Sequence, residues 1–232
     1  MMFGAHHFLT GENTVNFSDG HSVDRQNSWA YIEHFPKESA AMVKARASAE
    51  RLGADPVSAS TADLLRLLVA ATNAQNVLEV GTGTGVSTLA LLEGMTPGSA
   101  LTTLDIDNAR LQAARHNVME TPAGKKHRLR TICGDAVTVL PRLSTGSYDV
   151  AFVDAGAQDA ELCVYQSLAL LKTGGLLILN NALHDGKVAL PTHREPATVA
   201  YRRILHDIQE CIHDVFVSLV HAENGLYLVY KR

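Results

Sequence analysis

The chain has 232 residues, of which 46% are hydrophobic and 19% are charged. This length and composition are typical of an ordinary globular domain and exclude a repeat array, a fibre or a disordered tail. The 20 basic and 24 acidic side chains give a formal net charge of −4, so the chain has no basic excess for binding nucleic acid. A small molecule is therefore the expected partner.

Membrane and disulfide signals are both missing from the sequence. No apolar run approaches the roughly 18–20 residues that a membrane span needs. Arg25 is the first basic residue, so the charged start of a secretory signal is missing. We therefore expect a cytoplasmic protein without membrane association. Cys133, Cys163 and Cys211 have neither an even count nor a CxxC spacing, and we expect all three to be small buried residues.

The N-terminal part predicts a flexible arm followed by a helical cover. Residues 1–24 mix glycine with Asn, Ser and Asp without a sustained period, which predicts the arm. Apolar residues then recur at helical spacing as far as residue 73. The predicted helices span about 25–35, 38–52 and 59–73.

From Asn76 onward, short apolar runs alternate with amphipathic stretches, which is typical of βα units around a mostly parallel sheet. Several runs are apolar at every position, which indicates strands buried on both faces. The predicted strands are Val77–Val80, Ala100–Asp105, Arg128–Cys133, Tyr148–Asp154 and Gly175–Asn180. The helices predicted between them lie near 86–95, 107–120, 135–143 and 159–171.

The last third predicts a helix near 197–211 and then an antiparallel hairpin. The runs Val215–His221 and Leu226–Lys231 flank Asn224-Gly225, and Asn-Gly is the strongest short hairpin signal. The hairpin would close the sheet. Residues 25–232 therefore predict a single α/β domain, with the helical cover at about 25–73 and the core at about 74–232.

The most informative stretch is a strand that runs into Gly81, Gly83 and Gly85 and then into a helix. Glycine lets a ligand approach the main chain, and the helix N-terminus offers free N–H groups. The stretch therefore predicts a nucleotide-like ligand, with a ligand-free turn as the alternative. The dinucleotide pattern GxGxxG fails at Val86, which disfavours NAD or FAD.

Acidic residues follow the glycines at informative places. Glu79 lies inside the strand, and Asp105 ends the next strand, where a carboxylate can accept both ribose hydroxyls. Asp135 and Ala136 follow the third strand and could border an adenine ring. For Asp105 and for Asp135 the alternative is a simple helix N-cap.

Three segments resemble class I S-adenosylmethionine-dependent methyltransferases, and most closely the small bacterial catechol/caffeoyl-CoA O-methyltransferases. They are VLEVGTGTGVSTLA from Val77, YDVAFVDA from Tyr148 and LKTGGLLILNNAL from Leu171, and the ending NGLYLVYKR fits as well. The resemblance covers about residues 38–232. It implies a Rossmann-like, doubly wound sheet of seven mostly parallel strands with an antiparallel C-terminal hairpin strand and helices on both faces.

The resemblance also implies an enzyme that methylates a hydroxyl of a small, phenol- or catechol-like acceptor. S-adenosylmethionine would be the methyl donor. The implied cofactor residues are Val57, Glu79, Gly81, Gly83, Gly85, Ser87, Asp105, Asp135, Ala136 and Asp154. Asp105 would hold the ribose, and Asp135 and Ala136 would border the adenine.

In the family a divalent cation (Mg²⁺ or Ca²⁺) lowers the pKa of the acceptor hydroxyl. The positions implied for its ligands are Asp154, Asn180 and Asn181. Two residues depart from the family pattern: Asn180 replaces an Asp, and Ala157 replaces a Lys that is a candidate base. Cation affinity should therefore fall, and the acceptor half of the site looks altered.

His184 and His221 are the candidate bases in place of the Lys, because neutral imidazole suits proton removal near pH 7. The alternatives are structural roles for both rings and an N-cap role for Asp154. The alternative function is a non-catalytic or regulatory S-adenosylmethionine-binding protein on the same fold. Similarity to small bacterial relatives also implies that the helices before residue 75 cover the acceptor pocket and pair two chains into a homodimer.

Overall fold

The computed structural model describes residues 19–232, and within them a single sheet contains seven strands in the order β3-β2-β1-β4-β5-β7-β6. The first five strands are parallel and β7 is antiparallel to β5 and β6. The doubly wound architecture with a C-terminal hairpin is therefore confirmed. The strands are β1 Asn76–Val80, β2 Ala100–Asp105, β3 Arg128–Cys133, β4 Tyr148–Val153, β5 Leu171–Leu179, β6 Val215–Val220 and β7 Leu226–Lys231.

Helices precede the sheet and connect its strands. Short 3-10 turns lie at Leu140–Arg142 and Lys187–Ala189. No helix among residues 19–232 is long and apolar enough to cross a bilayer. The helices are α1 Asp19–His34, α2 Ala40–Leu52, α3 Ala59–Ala71, α4 Val86–Gly94, α5 Asn108–Met119, α6 Pro122–Lys126, α7 Ala136–Val139, α8 Ala160–Leu170 and α9 Pro196–Cys211.

Two hydrophobic clusters cover the two faces of the sheet. Successive residues of a strand point to opposite faces, so Val77 joins one cluster and Leu78 joins the other. The first cluster contains buried side chains of α3 and α4, such as Leu65, and the second contains side chains of α8 and α9, such as Tyr201. This burial on both faces explains why β1 and β4 are apolar at almost every position.

The largest differences from the sequence-based expectations are at three element boundaries. Helix α1 begins at Asp19, so residues 19–24 of the predicted arm are helical, and the rest of the arm lies outside the described residues. Strand β5 begins at Leu171 directly after α8, with an irregularity in its pairing to β4 before Leu176. The helix predicted at 135–143 ends as a 3-10 turn containing Pro141, which lacks the N–H that an α-helix needs.

The expected burial of all three cysteines was wrong for two of them. Cys163 is buried in α8, whereas Cys133 and Cys211 are exposed. Cys133 ends the edge strand β3, and Cys211 is the last residue of α9. An apolar neighbourhood in sequence does not show that a residue lies at an edge, so their exposure could not be predicted from local composition.

Candidate active site

The carboxyl ends of β1, β2 and β4 meet where the strand order reverses on the two sides of β1. In open α/β sheets this switch point is where ligands bind. A cavity of about 310 Å³ lies here and is called the smaller cavity. The predicted site residues among those lining it are Gly81, Asp105, Asp135, Ala136 and Asp154.

Two glycines of the β1–α4 turn are required by packing inside the chain. Gly81 has φ +91°, and a Cβ there would overlap the carbonyl oxygen of Asp154. Gly85 has φ +97°, and a Cβ there would lie 3.2 Å from the Cα of Ala114 in α5. These two glycines therefore hold β4 and α5 close to the turn. At Gly83 a Cβ would meet no atom within 4 Å, so the space beside that residue is open.

Asp105 links the glycine turn to the end of β2. Its Oδ2 accepts a hydrogen bond from the Gly83 N–H at 2.8 Å, and its Oδ1 accepts one from the Asp107 N–H at 2.8 Å. The N-cap of α5 is Asp107, which accepts from the N–H groups of Ala109 and Arg110. The alternative of Asp105 as that helix's N-cap is therefore wrong.

Asp135 does act as an N-cap. Its side chain accepts a hydrogen bond from the Val137 N–H at 3.1 Å at the start of α7. It also lines the smaller cavity together with Ala136. The capping alternative is therefore confirmed, and it is compatible with a place beside a ligand.

Glu79 is a fully buried carboxyl group beside the glycine turn. Its Oε2 accepts hydrogen bonds from the hydroxyls of Thr88 at 2.7 Å and Thr103 at 2.6 Å. Its Oε1 has no partner among the described residues. Burial raises the pKa of Glu79 to about 7, against the opposing effect of the hydroxyls. A buried acceptor without a partner is costly, so this oxygen suits a donor on a bound ligand.

Asp154 follows β4 and accepts a hydrogen bond from Asn180 Nδ2 at 3.0 Å. Burial raises the pKa of Asp154 to about 6, and the negative charges of Glu223, Asp55 and Asp105 add to the shift. The next helix, α8, has Asp159 as its N-cap. Asp154 is therefore not an N-cap, and its raised pKa is the kind of perturbation that marks functional carboxyl groups.

A larger cavity of about 810 Å³ lies beside the helical cover. Its walls are mostly apolar and come from α1, α3, the loop at 183–186 and the β6–β7 turn, with Trp29, Ile32, Leu64, Leu183 and Val220 among the lining residues. Helices α1 and α3 therefore form part of the wall of this cavity. The loop at 180–186 reaches both cavities, because Asn180 bonds to Asp154 on the wall of the smaller cavity and Leu183 lines the larger one.

The two candidate histidines lie in different surroundings. His221 lines the larger cavity, and its ring centroid is 4.8 Å from that of Trp29. His184 is instead joined to α9, where its Nδ1 lies 2.8 Å from Thr198 Oγ1 and its ring stacks on Tyr201. The geometry thus favours His221 for contact with an acceptor and a structural role for His184.

The residues expected to bind a cation do not fit a hard divalent ion. Asp154 is the only carboxylate among the three implied ligands. Asn180 directs its NH₂ group toward Asp154, and the Asn181 Oδ1 accepts from the Asp185 N–H at 3.1 Å. No group of three or more His, Cys, Asp or Glu side chains in the described part of the chain has the arrangement of a metal site. Mg²⁺ and Ca²⁺ need several oxygen ligands, preferably charged ones.

Two acidic residues near the site were missed by the sequence analysis. Glu33 accepts a hydrogen bond from Ser58 Oγ at 3.2 Å, and Glu223 Oε2 accepts one from the Ser58 N–H at 3.0 Å. Both carboxylates line the larger cavity and converge on the first turn of α3. Glu223 has φ +47°, which is uncommon for a residue other than glycine and often accompanies a functional site. No local sequence signal marks either residue, because both contacts join distant parts of the chain.

The fold and the two cavities define a protein that holds a nucleotide-like cofactor beside a pocket for a second small molecule. The O-methyltransferase family model matches residues 33–232. A Mycobacterium tuberculosis protein named as a probable O-methyltransferase is 36% identical over 185 residues, which cover 80% of this chain and 82% of that protein. The chain belongs to the O-methyltransferase family, whose members use S-adenosylmethionine as methyl donor.

Solved structures agree on the fold. The O-methyltransferase TomG from Streptomyces achromogenes, solved in complex with S-adenosylmethionine, superposes with a TM-score of 0.78 at 24% identity, covering 89% of this chain and 98% of that one. An O-methyltransferase from Bacillus cereus, solved with S-adenosylhomocysteine, gives a TM-score of 0.76 at 22% identity, covering 89% and 99%.

Proposed function

We propose that this chain transfers the methyl group of S-adenosylmethionine to a hydroxyl of a small phenol- or catechol-like acceptor. The observation that carries the proposal is the pair of cavities that share the loop at 180–186, where Asn180 bonds to Asp154 of the smaller cavity and Leu183 lines the larger one. The smaller cavity lies at the switch point of the sheet, and the larger one is mostly apolar and wide enough for an aromatic ring. Membership of the O-methyltransferase family supports transfer to oxygen.

The cofactor would extend along the carboxyl ends of the strands. Asp105 would accept hydrogen bonds from the ribose hydroxyls, and Asp135 with Ala136 would border the adenine. The methionine end would meet Val57, Ser87 and the open space beside Gly83. The unpaired Glu79 Oε1 suits a donor at that end, and TomG and the Bacillus cereus protein, solved with this cofactor or its product, support the assignment by their fold.

The chemistry depends chiefly on the position of the acceptor oxygen and on the removal of its proton. The bound cofactor supplies an activated methyl on a positively charged sulfur, so the leaving group needs no acid. The chain must hold the acceptor oxygen in line with that methyl and remove its proton. With a pKa of about 6, Asp154 is mostly ionised at neutral pH and can accept a proton. His221, on the wall of the larger cavity, is the second candidate base.

No step of this mechanism passes through a metal ion. The donors at Asp154, Asn180 and Asn181 do not fit one, for the reasons given above. Without a cation, the apolar walls of the larger cavity would bind the acceptor, and side chains of the protein would remove its proton. The proposed enzyme is therefore independent of added divalent cation.

The test of the proposal is methyl transfer to a panel of phenols and catechols, with products identified by mass spectrometry. Asp154→Asn should lower kcat by at least about a hundredfold, the usual contribution of a general base, while calorimetry still shows cofactor binding. His221→Gln serves as the parallel variant: if it alone abolishes turnover, the base is His221. Cofactor binding with no methylated product from any acceptor would favour a non-catalytic binding protein.

We also propose that the protein is a homodimer, as the resemblance to small bacterial relatives implies. Exposed apolar side chains on the outer side of the helical cover support this, among them Tyr31, Phe35 and Leu67. Light scattering on a gel-filtration peak measures the mass directly. The cytoplasmic location stays a prediction from the sequence.

A further inference from the structure

The larger cavity carries acidic side chains on three of its walls. Glu33 comes from α1, Asp185 from the loop after β5 and Glu223 from the β6–β7 turn. No Lys or Arg is among the described residues that line the cavity, and His221 is the other titratable group there. The pocket in which the proposed function places the acceptor is therefore strongly negative.

Two of these carboxylates are held without an ion pair among the described residues. Glu33 accepts hydrogen bonds from the hydroxyls of Ser58 and Ser60, and Glu223 accepts them from the Ser58 N–H and the Thr61 hydroxyl. Hydroxyl and amide donors orient a carboxylate and leave its charge uncancelled. Asp185 is the exception, because Lys187 Nζ lies 3.8 Å from its Oδ2.

The apolar part of the same cavity offers a place for an aromatic ring. Trp29 lies on the wall with its ring tilted by 37° to that of His221, and Leu64 and Val220 add aliphatic surface. Trp is also the aromatic side chain whose face attracts cations best. The cavity thus combines an aromatic-binding surface with excess negative charge.

We propose that the acceptor is cationic: a phenol or catechol whose side arm ends in a protonated amine. The ring would lie against the apolar wall, and the ammonium would lie among Glu33, Asp185 and Glu223. Acceptors that carry a carboxylate or phosphates, coenzyme A esters included, would meet like charges and be disfavoured. This inference rests on the proposed function for the place of the acceptor, and it adds the acceptor's charge.

The cofactor itself does not account for all of these acidic side chains. The positive groups of the cofactor would already face Glu79 and Asp154 at the switch point. Glu33 and Asp185 line the larger cavity instead, on the helical cover and on the 183–186 loop. Their charge therefore acts on whatever occupies that cavity.

The experiment compares three catechols that share the ring and a two-carbon arm and differ only at the arm's end: dopamine with an ammonium, hydroxytyrosol with a hydroxyl and dihydroxyphenylpropanoate with a carboxylate. Trp29 is the single tryptophan of the chain and lines the cavity, so its fluorescence reports binding without turnover. Binding is measured on protein saturated with S-adenosylhomocysteine, and methyl transfer is measured separately. We expect dopamine to bind at least about tenfold more tightly than the carboxylate, with less difference at high salt.

Variants connect the preference to the named residues. Glu33→Gln and Asp185→Asn keep the size and a hydrogen-bond acceptor and remove the charge. Each should lower the dopamine-to-carboxylate affinity ratio several-fold and change the affinity for the neutral hydroxytyrosol less than that for either charged catechol. Glu210→Gln, an equal charge change on the exposed side of α9, is the matched control and should leave the ratio at the wild-type value.

The outcomes separate this inference from the proposed function. The inference is supported if affinity falls from dopamine to hydroxytyrosol to the carboxylate and if the two variants weaken this order. If that result comes without any methylated product, the inference stands and the proposed methyl transfer to phenols fails. The inference is overturned if the carboxylate binds as tightly as dopamine or more tightly. It is also overturned if neither variant changes the dopamine-to-carboxylate affinity ratio, or if none of the three catechols binds. Methylation of all three catechols at equal efficiency would leave the proposed function standing and contradict the charge preference.

Discussion

Glu79 combines complete burial, two hydroxyl donors on one oxygen and none on the other. Its pKa is raised from 4.5 to about 7, mainly by burial. The folded protein therefore binds a proton that the unfolded chain releases at lower pH. The stabilisation from this group is complete below about pH 4.5 and is lost as the pH rises through about 7.

This linkage gives a prediction for the free protein. Between about pH 4.5 and about pH 7, the free energy of unfolding of the wild type should fall relative to that of Glu79→Gln. The relative fall should approach about 3 kcal/mol, at 1.4 kcal/mol per pKa unit. Urea titrations of both proteins across that range measure the difference. A difference that does not change with pH would show that Glu79 titrates normally.

Asp105 and Asp107 are two carboxylates two residues apart with different tasks. Asp107 caps α5, whereas Asp105 bonds to the Gly83 N–H and lines the smaller cavity. Asp107→Ala should cost about 1 kcal/mol of stability, as N-cap loss does, with cofactor affinity retained. Asp105→Ala should weaken cofactor binding at least about tenfold, the loss expected for a charge-assisted hydrogen-bond pair.

Calorimetry of S-adenosylmethionine binding and urea unfolding of the two variants separate the tasks. Asp107→Ser keeps a capping oxygen and should restore stability. If Asp105→Ala binds the cofactor as the wild type does, the ribose is held elsewhere.

At the scale of elements, the glycine turn brings β1, β4 and α5 together. Gly81→Ala should destabilise the fold by about 3 kcal/mol, because its Cβ would overlap the Asp154 carbonyl and its φ is positive. Gly146→Ala is the matched control: φ there is +62° with no atom within 4 Å of the added Cβ. It should cost only about 1 to 2 kcal/mol, for the backbone alone. Equal losses in urea unfolding would contradict the packing role of Gly81.

The elements that were predictable from sequence are those whose signal is local. Strands β2, β3 and β7 have the predicted bounds, because apolar runs end at turn residues that break the pattern. The starts of helices α2 and α3 are also set locally, because the side chains of Ser39 and Ser58 cap them. The irregular start of β5 was missed, since a bulge next to β4 depends on the partner strand.

The candidate site was only half predictable, for a physical reason. The cofactor residues follow strands of a parallel sheet, so their convergence at the carboxyl edge follows from topology. Glu33 and Glu223 reach the same helix start from sequence separations of 25 and 165 residues. Such contacts depend on how the cover and the hairpin pack, which local patterns do not specify.

At the scale of the whole molecule, the proposed function divides two tasks between two cavities. The sheet edge would hold the cofactor through residues that match the family's pattern. The cover, the 183–186 loop and the hairpin form the second pocket. Asn180, which bonds to Asp154, and Ala157, three residues after Asp154, replace the Asp and the Lys of the family's pattern. Catalysis should then depend on Asp154 or His221 and on no cation.

Methyl transfer to catechols in the presence of excess EDTA tests whether the reaction proceeds without a metal ion. We predict O-methylated product from S-adenosylmethionine at a rate unchanged by EDTA or by added Mg²⁺ or Ca²⁺. Mass spectrometry of the product and calorimetry of the cofactor are run on the same preparation. Product that forms only when a divalent cation is added would contradict the metal-free mechanism, and cofactor binding without product from any phenol would contradict the proposed reaction itself.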